Sequence, residues 1–396
     1  MIKSVHLYRK AGAEPTPVRE YGRDVAEKVI RFHESFPEYA VTPLRRLKRL
    51  AEYLGVGEIY VKDESFRFGL NAFKVLGSSY AIGRIIADRL GWDERETTYE
   101  RLVSEEARRL LGDMTFITAT DGNHGRGVAW TANRLGQGSV VYMPKGTAAE
   151  RLENIRALGS AAQITDLSYD DAVRRAASEA RENGWVLVQD TSESDGDDTP
   201  KRIMQGYTTM ALEAERQMNG VAPTHIFLQA GVGAMAGAIA GYFADRYGDA
   251  NRPVVTVVEP ESVDCLRMSA AAGEIRFVQG EMNTIMAGLA CGEPCAPAWG
   301  ILRDHADHFV SVPDSVAAAG MRVLGNPLTG DERIISGESG ASTAGFVFEL
   351  MRNPALSELR EKIGLNQSAR VLLISTEGDT DRENYRRVVW DGRYPS

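Results

Sequence analysis

Lys74 is the only charged residue in the stretch GLNAFKVLGSSY (69–80), where its neighbours are small, apolar or neutral polar residues. A lysine in such company has two uses. Its aliphatic stem can lie along apolar surface with the ammonium in water. Alternatively, burial lowers the amine's pKa until it attacks a carbonyl and forms an imine. Taken alone, the stretch leaves both open. A second stretch, DGNHG (121–125), follows the apolar run TFITAT (115–120) and precedes GVAWTANRLG (127–136). Its glycines let backbone N–H groups come close to a ligand, and the Asn123 amide offers both a donor and an acceptor. The same residues also make an ordinary helix start capped by Asp121, with His124 as a turn residue. The third stretch, QAGVGAMAG (229–237), repeats the order strand, glycines, helix. Backbone amides at a helix N-terminus form a phosphate cradle, here Gly231, Val232, Gly233, Ala234 and Met235. The fourth, STEGDTD (375–381), ends the apolar run VLLIST (371–376) and offers the Ser375 hydroxyl to a ring nitrogen.

An imine-forming amine, a phosphate cup, and separate polar groups for a ring oxygen and a ring nitrogen are together what pyridoxal 5'-phosphate requires. None of the four is specific alone; the combination is. A dinucleotide would also use the glycines, but it needs an acidic residue about twenty positions on for the ribose, and Glu259 sits rather late for that. A nicotinamide dehydrogenase would also form no imine.

These residues need a frame that brings them together. Apolar strand-like runs alternate with helical patterns: EIYVKD (58–63) with helix 72–90, TFITAT with helix 127–136, SVVYMP (139–144) with helix 149–159, and AAQIT (161–165) with helix 169–184. WVLVQD (185–190) precedes helix 201–219, HIFLQA (225–230) precedes helix 234–247, and VVTVVEP (254–260) and VLLIST follow. This alternation predicts βαβ units and parallel sheets buried on both faces, with ligands beyond the carboxyl ends of the strands. Residues 91–113 are strongly charged and predict a solvated helical insertion.

The bulk properties exclude other classes. The chain has 396 residues, 43% of them apolar, enough for two domains. Its net charge of −9 disfavours a nucleic acid or an anionic membrane as partner. It has no apolar run long enough to span a bilayer, its first residues lack an apolar core, so no secretory leader is expected there, and three cysteines suit a reducing compartment. The expectation is a cytoplasmic enzyme with a small-molecule substrate. Cys265, Cys291 and Cys295 read as free thiols; zinc would need better-spaced ligands, so no metal is expected, and a disulfide from Cys265 to Cys291 or Cys295 stays open.

The motifs also resemble a family, the fold-type II pyridoxal-phosphate enzymes, which include the serine/threonine dehydratases and the tryptophan synthase β chain. Within it they are most similar to the diaminopropionate ammonia-lyases. The matching stretches are GVGEIYVKDES and RFGLNAFKVLGSSYA (55–81), TATDGNHGRGVAW (118–130), IMQGY (203–207), GVGAMAG (231–237), MAGLACGEP (286–294) and ISGESGAS (335–342). The resemblance implies two open three-layer α/β/α domains with mostly parallel sheets: a large cofactor domain from 1–80 and 166–396, and a small one from 81–165. It implies Lys74 as the Schiff-base lysine, Asn123 at the cofactor's ring hydroxyl, Gly231 to Met235 around the phosphate and Ser375 at the pyridine nitrogen. Asp121, where dehydratases usually carry serine, and Asp190 match acidic residues with catalytic or substrate-positioning roles. The implied activity is a carbon–nitrogen lyase reaction, α,β-elimination of 2,3-diaminopropionate to pyruvate and ammonia. With Lys74 and Asp121 as bases on opposite faces, both enantiomers would react. A dehydratase or lyase for another β-substituted amino acid is the alternative, and a homodimer is the expected assembly.

One departure stands out. After VQDT the family continues with aromatic residues, whereas this chain reads SESDGDDTPKR (192–202). The acidic loop 192–198 is either a solvated turn or a lid that favours a substrate with a β-ammonium.

Overall fold

The computed structural model describes residues 2–7, 14–120, 122–190 and 197–395. It contains eleven named strands: β1 (Lys3–His6), β2 (Leu44–Arg46), β3 (Glu58–Asp63), β4 (Thr115–Ala119), β5 (Gly138–Met143), β6 (Ala161–Ile164), β7 (Val186–Leu187), β8 (His225–Gln229), β9 (Val254–Pro260), β10 (His308–Val312) and β11 (Arg370–Ser375). They form two sheets, one ordered β1-β10-β9-β8-β11-β3-β2 and one ordered β6-β5-β4-β7. In the first, the five central strands run parallel and only the edge strands β1 and β2 are antiparallel. The second is parallel throughout.

The parallel strands are apolar at successive positions because both faces are covered. In the four-stranded sheet, Val141 and Met143 join Ala129, Leu152, Ile155 and Ala162 in one cluster. Tyr142, between them in sequence, joins Ile117, Ala119, Ala172, Ala176 and Ala180 in another. Alternate residues of one strand thus feed two cores, which is the signature of a helix–sheet–helix sandwich. In the seven-stranded sheet, Ile59, Val61, Phe227, Val258, Val310, Val312, Val371 and Leu373 share one core, and the interleaved Ile226, Leu228, Val257, Leu372 and Ile374 are buried as well.

Two compact units carry these sheets. One holds 1–23, 42–66 and 210–396; the other holds 24–41 and 67–209. The reading that ended the smaller domain at 81 and 165 differs from this division. The physical reason is pairing: β7 lies beside β4, with Phe116 opposite Val186, so the chain after 165 still belongs to the smaller sheet. Residues 67–80 go with that unit too, since the helix Val75–Leu90 packs on the helix Asn123–Arg134.

Three strands escape the sequence pattern. β1 and β2 are short edge strands without alternation, and β10 (HFVSV) carries a histidine and a serine among its apolar residues. At the β1 edge, His6 pairs across the ladder with His308, their Nδ1 atoms 3.2 Å apart. The charged segment 91–113 is not one helix: two short helices, Tyr99–Leu102 and Glu105–Leu111, are each started by a side-chain cap, from Thr98 and Ser104. Residues 191–196 of the acidic loop lie outside the described residues. Of the rest, Asp197 accepts the Thr199 N–H at 2.9 Å at the start of the helix Thr199–Gln217, and Asp198 faces Arg202 at 4.0 Å. No helix among the described residues is long and apolar enough to cross a membrane.

Candidate active site

Lys74 sits at the head of the helix Val75–Leu90, immediately before its first residue. Asn71, three residues earlier, takes the left-handed conformation at φ 57°, which turns the Asn-Ala-Phe-Lys segment sharply and seats Ala72 and Phe73 in the interior. The lysine stem runs beside Phe73, with Nζ 5.7 Å from the ring centre. Nζ lies 3.2 Å from Asp190 Oδ2. The side chain is mostly covered but retains 19% exposure, so a ligand can reach the amine.

Asp190 is buried. Burial pushes its pKa up, but the Lys74 charge, His124 and the Lys74 hydrogen bond outweigh that and hold it below the ordinary carboxylate range. It is therefore an anion at neutral pH. Its second oxygen, Oδ1, is buried with no hydrogen-bond partner among the described residues.

Asn123 opens the helix Asn123–Arg134 at the carboxyl end of β4. The cap comes from Thr120, whose Oγ1 accepts the N–H groups of Gly122 at 2.9 Å and Gly125 at 3.2 Å. Asp121 lies outside the described residues. His124 is buried, and its Nε2 is 2.8 Å from the Val188 carbonyl oxygen, two residues before Asp190. Close packing sets this half. A Cβ on Gly127 would lie 2.5 Å from Ser78 Oγ, and one on Gly77 would lie 2.7 Å from the Tyr207 ring. The motifs HGRG, VLGSS and MQGY are thus the contact faces of three helices.

In the seven-stranded sheet, the cradle follows β8. Gly233 precedes the helix Ala234–Asn251 at φ 95°, a conformation a side chain resists. A Cβ on Gly231 would lie 3.1 Å from the Leu289 backbone, so the MAGLACGEP segment closes over this turn. The Val232 carbonyl is used by the Cys295 N–H at 2.8 Å, which pins the loop. Ser375 ends β11, the neighbour of β8, and is buried. Its Oγ is 2.8 Å from Ser336 Oγ. Gln229 Nε2 ties the two strand ends by donating to the Ile374 carbonyl and to Thr376 Oγ1, both at 2.9 Å. Here the strand order reverses direction, β8-β9-β10 on one side and β11-β3 on the other, the place where open α/β sheets bind ligands.

Lys74 and Asp190 are therefore brought together in the smaller unit, and the cradle and Ser375 stand at adjacent strand ends in the larger. The sequence reading gave Gln229, Thr376 and Ser336 no role and read His124 only as a turn residue. Ser336 stood inside the quoted ISGESGAS; two glycines beside a serine were the available signal. Glu259 serves another purpose: its carboxylate accepts the Leu266 and Arg267 N–H groups at 2.8 and 2.7 Å, at the start of the helix Cys265–Ala272. Cys265 itself is a buried free thiol.

Residues 36–377 match the family model for pyridoxal-phosphate dependent enzymes. The diaminopropionate ammonia-lyase of Salmonella typhimurium is 50% identical to this chain over 376 residues, covering 93% of each. Two solved structures of Escherichia coli diaminopropionate ammonia lyase, one in complex with an aminoacrylate-PLP azomethine reaction intermediate and one with D-serine, match with TM-score 0.92. Each has 46% sequence identity and covers 100% of this chain and 98% of its own.

Proposed function

The chain belongs to the pyridoxal-phosphate dependent enzyme family, and from that premise we propose that it eliminates ammonia from 2,3-diaminopropionate. The fold-type II architecture and the cofactor expected from the motifs hold. The observation that carries the proposal is Lys74 held 3.2 Å from the buried Asp190 carboxylate, in a chain that matches diaminopropionate ammonia-lyases over nearly its whole length.

The residues fit the cofactor. A Cβ at Gly231 would crowd the Leu289 backbone at 3.1 Å, and the turn leads into the first turn of the helix Ala234–Asn251, whose N–H groups suit a phosphate. Lys74 would hold the cofactor's carbonyl carbon, Asn123 its ring hydroxyl, Gly231, Val232, Gly233, Ala234 and Met235 its phosphate, and Ser375 its ring nitrogen. When bound, the cofactor supplies the electron sink that makes removal of the substrate's Cα proton feasible.

The chain's own groups then divide the work. Asp190 orients the Lys74 amine and balances its charge. Lys74 takes the Cα proton of one enantiomer and Asp121 that of the other. The Cβ nitrogen leaves as ammonia once it has been protonated. Addition of one water to the remaining three-carbon fragment releases pyruvate and a second ammonia, so each substrate yields one pyruvate and two ammonia. Homodimeric assembly and a cytoplasmic location belong to the same reading, supported by the family resemblance, and light scattering of the purified protein tests the first.

Pyruvate release measured across D- and L-forms of diaminopropionate, serine and β-chloroalanine is the direct test. Turnover should be highest with both diaminopropionate enantiomers. A preference for serine would replace this reading with a dehydratase, the alternative that the altered 192–198 loop leaves open.

A further inference from the structure

The segment ISGESGAS contributes no residue to the roles given above, yet the fold brings it against the end of β11. Ser336 is fully buried. The Gly337 N–H donates to the Glu377 carbonyl at 3.0 Å, and the Ser339 N–H reaches Glu377 Oε1 at 3.3 Å. Two glycines make the approach possible. A Cβ on Gly337 would lie 2.5 Å from the Gly378 carbonyl, and one on Gly340 would lie 2.8 Å from Ser336 Oγ. The segment is thus strapped to residues 375–378 with one side chain, Ser336, directed at Ser375.

Each hydroxyl has one proton to give and can accept another. Ser375 Oγ has two acceptors within reach among the described residues, Ser336 Oγ at 2.8 Å and the Glu377 carbonyl at 3.4 Å. Ser336 Oγ has Ser375 at 2.8 Å and the Gly337 carbonyl at 3.5 Å, a poor bond. As the pair stands, Ser375 donates to Ser336. A ring nitrogen with a lone pair changes the balance. Ser375 turns its proton to the nitrogen, and the best remaining use of the Ser336 proton is the oxygen of Ser375. Two rotations about C–O bonds accomplish this, and no bond is broken.

We propose that Ser336 is a positioning residue that sets the direction of the Ser375 hydroxyl, so that Ser375 donates to the cofactor's ring nitrogen and keeps it unprotonated. The inference rests on the assignment of Ser375 to that nitrogen. A chain of two hydroxyls polarises along its length, so the Ser336 donor strengthens the Ser375 donor. A less electron-deficient ring suits elimination and disfavours side reactions that reprotonate elsewhere on the ring system.

The test is a double-mutant cycle of Ser336→Ala, Ser375→Ala and the double variant. Each is read by cofactor affinity and by the ¹⁵N resonance of ring-labelled pyridoxal phosphate in the holoenzyme. With Ser375 present, Ser336→Ala should weaken cofactor binding about fivefold, the worth of one hydrogen bond, and move the ¹⁵N signal. With Ser375→Ala in place it should do neither. Ser336→Cys, a weak donor of similar size, should fall between serine and alanine. Equal effects of Ser336→Ala in both backgrounds would make Ser336 mere packing and overturn the inference. A silent Ser336→Ala beside a responsive Ser375→Ala would overturn it alone. If Ser375→Ala leaves the ¹⁵N signal in place, the ring-nitrogen assignment falls and the role of Ser336 falls with it.

Discussion

The turn after β8 and the segment around Lys74 solve different problems with different materials. The Gly231–Met235 turn carries no charge. In the role proposed for it, it would work through backbone N–H groups, and its geometry is fixed by what is missing: a Cβ at Gly231 would meet the Leu289 backbone. The Lys74 segment works through charge, a lysine and an aspartate 116 residues apart in sequence, with Asp190 buried. Backbone dipoles hold a fixed anion without titrating. A buried ion pair costs more to build, but its members can pass protons. If the proposed roles hold, holding and reacting are separable here, so substitutions in the two regions should fail in different ways.

The largest effect should come from Lys74→Ala. Turnover should fall about 10³-fold or more, and the visible band of the bound cofactor, with its sensitivity to borohydride, should vanish. If borohydride fixes the cofactor to another lysine, the contrast collapses. Asp121→Asn should be next, and it should be lopsided. One enantiomer of diaminopropionate should lose about 10²-fold in kcat while the other loses far less; equal small losses would reduce Asp121 to a cap. Gly233→Ala belongs to the other region. Forcing alanine to φ 95° costs about 1–2 kcal/mol, so cofactor affinity should drop roughly tenfold, with kcat at saturating cofactor nearly intact. A drop in kcat instead would mean that the cradle also steers chemistry.

The smallest effect should come from a residue that serves neither region. Burial, then the neighbouring His6 charge, lowers the His308 pKa from 6.5 to about 4; Asp307 opposes the shift and His225 adds to it. The unfolded chain therefore binds a proton near pH 6.5 that the folded chain refuses until about pH 4. Stability is complete above the unfolded value and declines as pH falls through that window. His308→Gln should flatten this decline, recovering about 2 °C of melting temperature near pH 5. A curve as steep as the wild type's would place the acid sensitivity elsewhere.

Much of this was legible before any coordinates. HIFLQAGVGAMAG and TFITATDGNHGRG announce strand, turn and helix through local chemistry, and Lys74 draws attention as a lone charge. Asp190 could be named only by resemblance, since nothing in WVLVQDT reveals that its carboxylate meets Lys74. Ser336 was invisible as an actor because its partner, Ser375, lies 39 residues on, and a serine among glycines reads as a loop. β10 was missed because a buried strand carrying His308 and Ser311 lacks the apolar run that marks its neighbours. The division into units differs from the expected boundary at 165 because strand pairing, as between β7 and β4, is a long-range fact that no local stretch reveals.

The place of β11 in the larger sheet has a consequence for how the protein is made. The strand is last in chain order but sits between β8 and β3, with Arg370 opposite Glu58. Until a ribosome has delivered it, β3 and β8 each present an open edge, and the hydroxyl of Ser375 does not yet exist. The smaller sheet, all of whose strands lie before residue 188, has no such wait. Synthesis therefore leaves a long interval in which one sheet can be complete and the other gaping, an invitation to chaperones and an aggregation risk. A prematurely ended chain would not be a weakened enzyme. It would lack the middle of its sheet, and quality control would meet an unfinished edge instead of a slow catalyst.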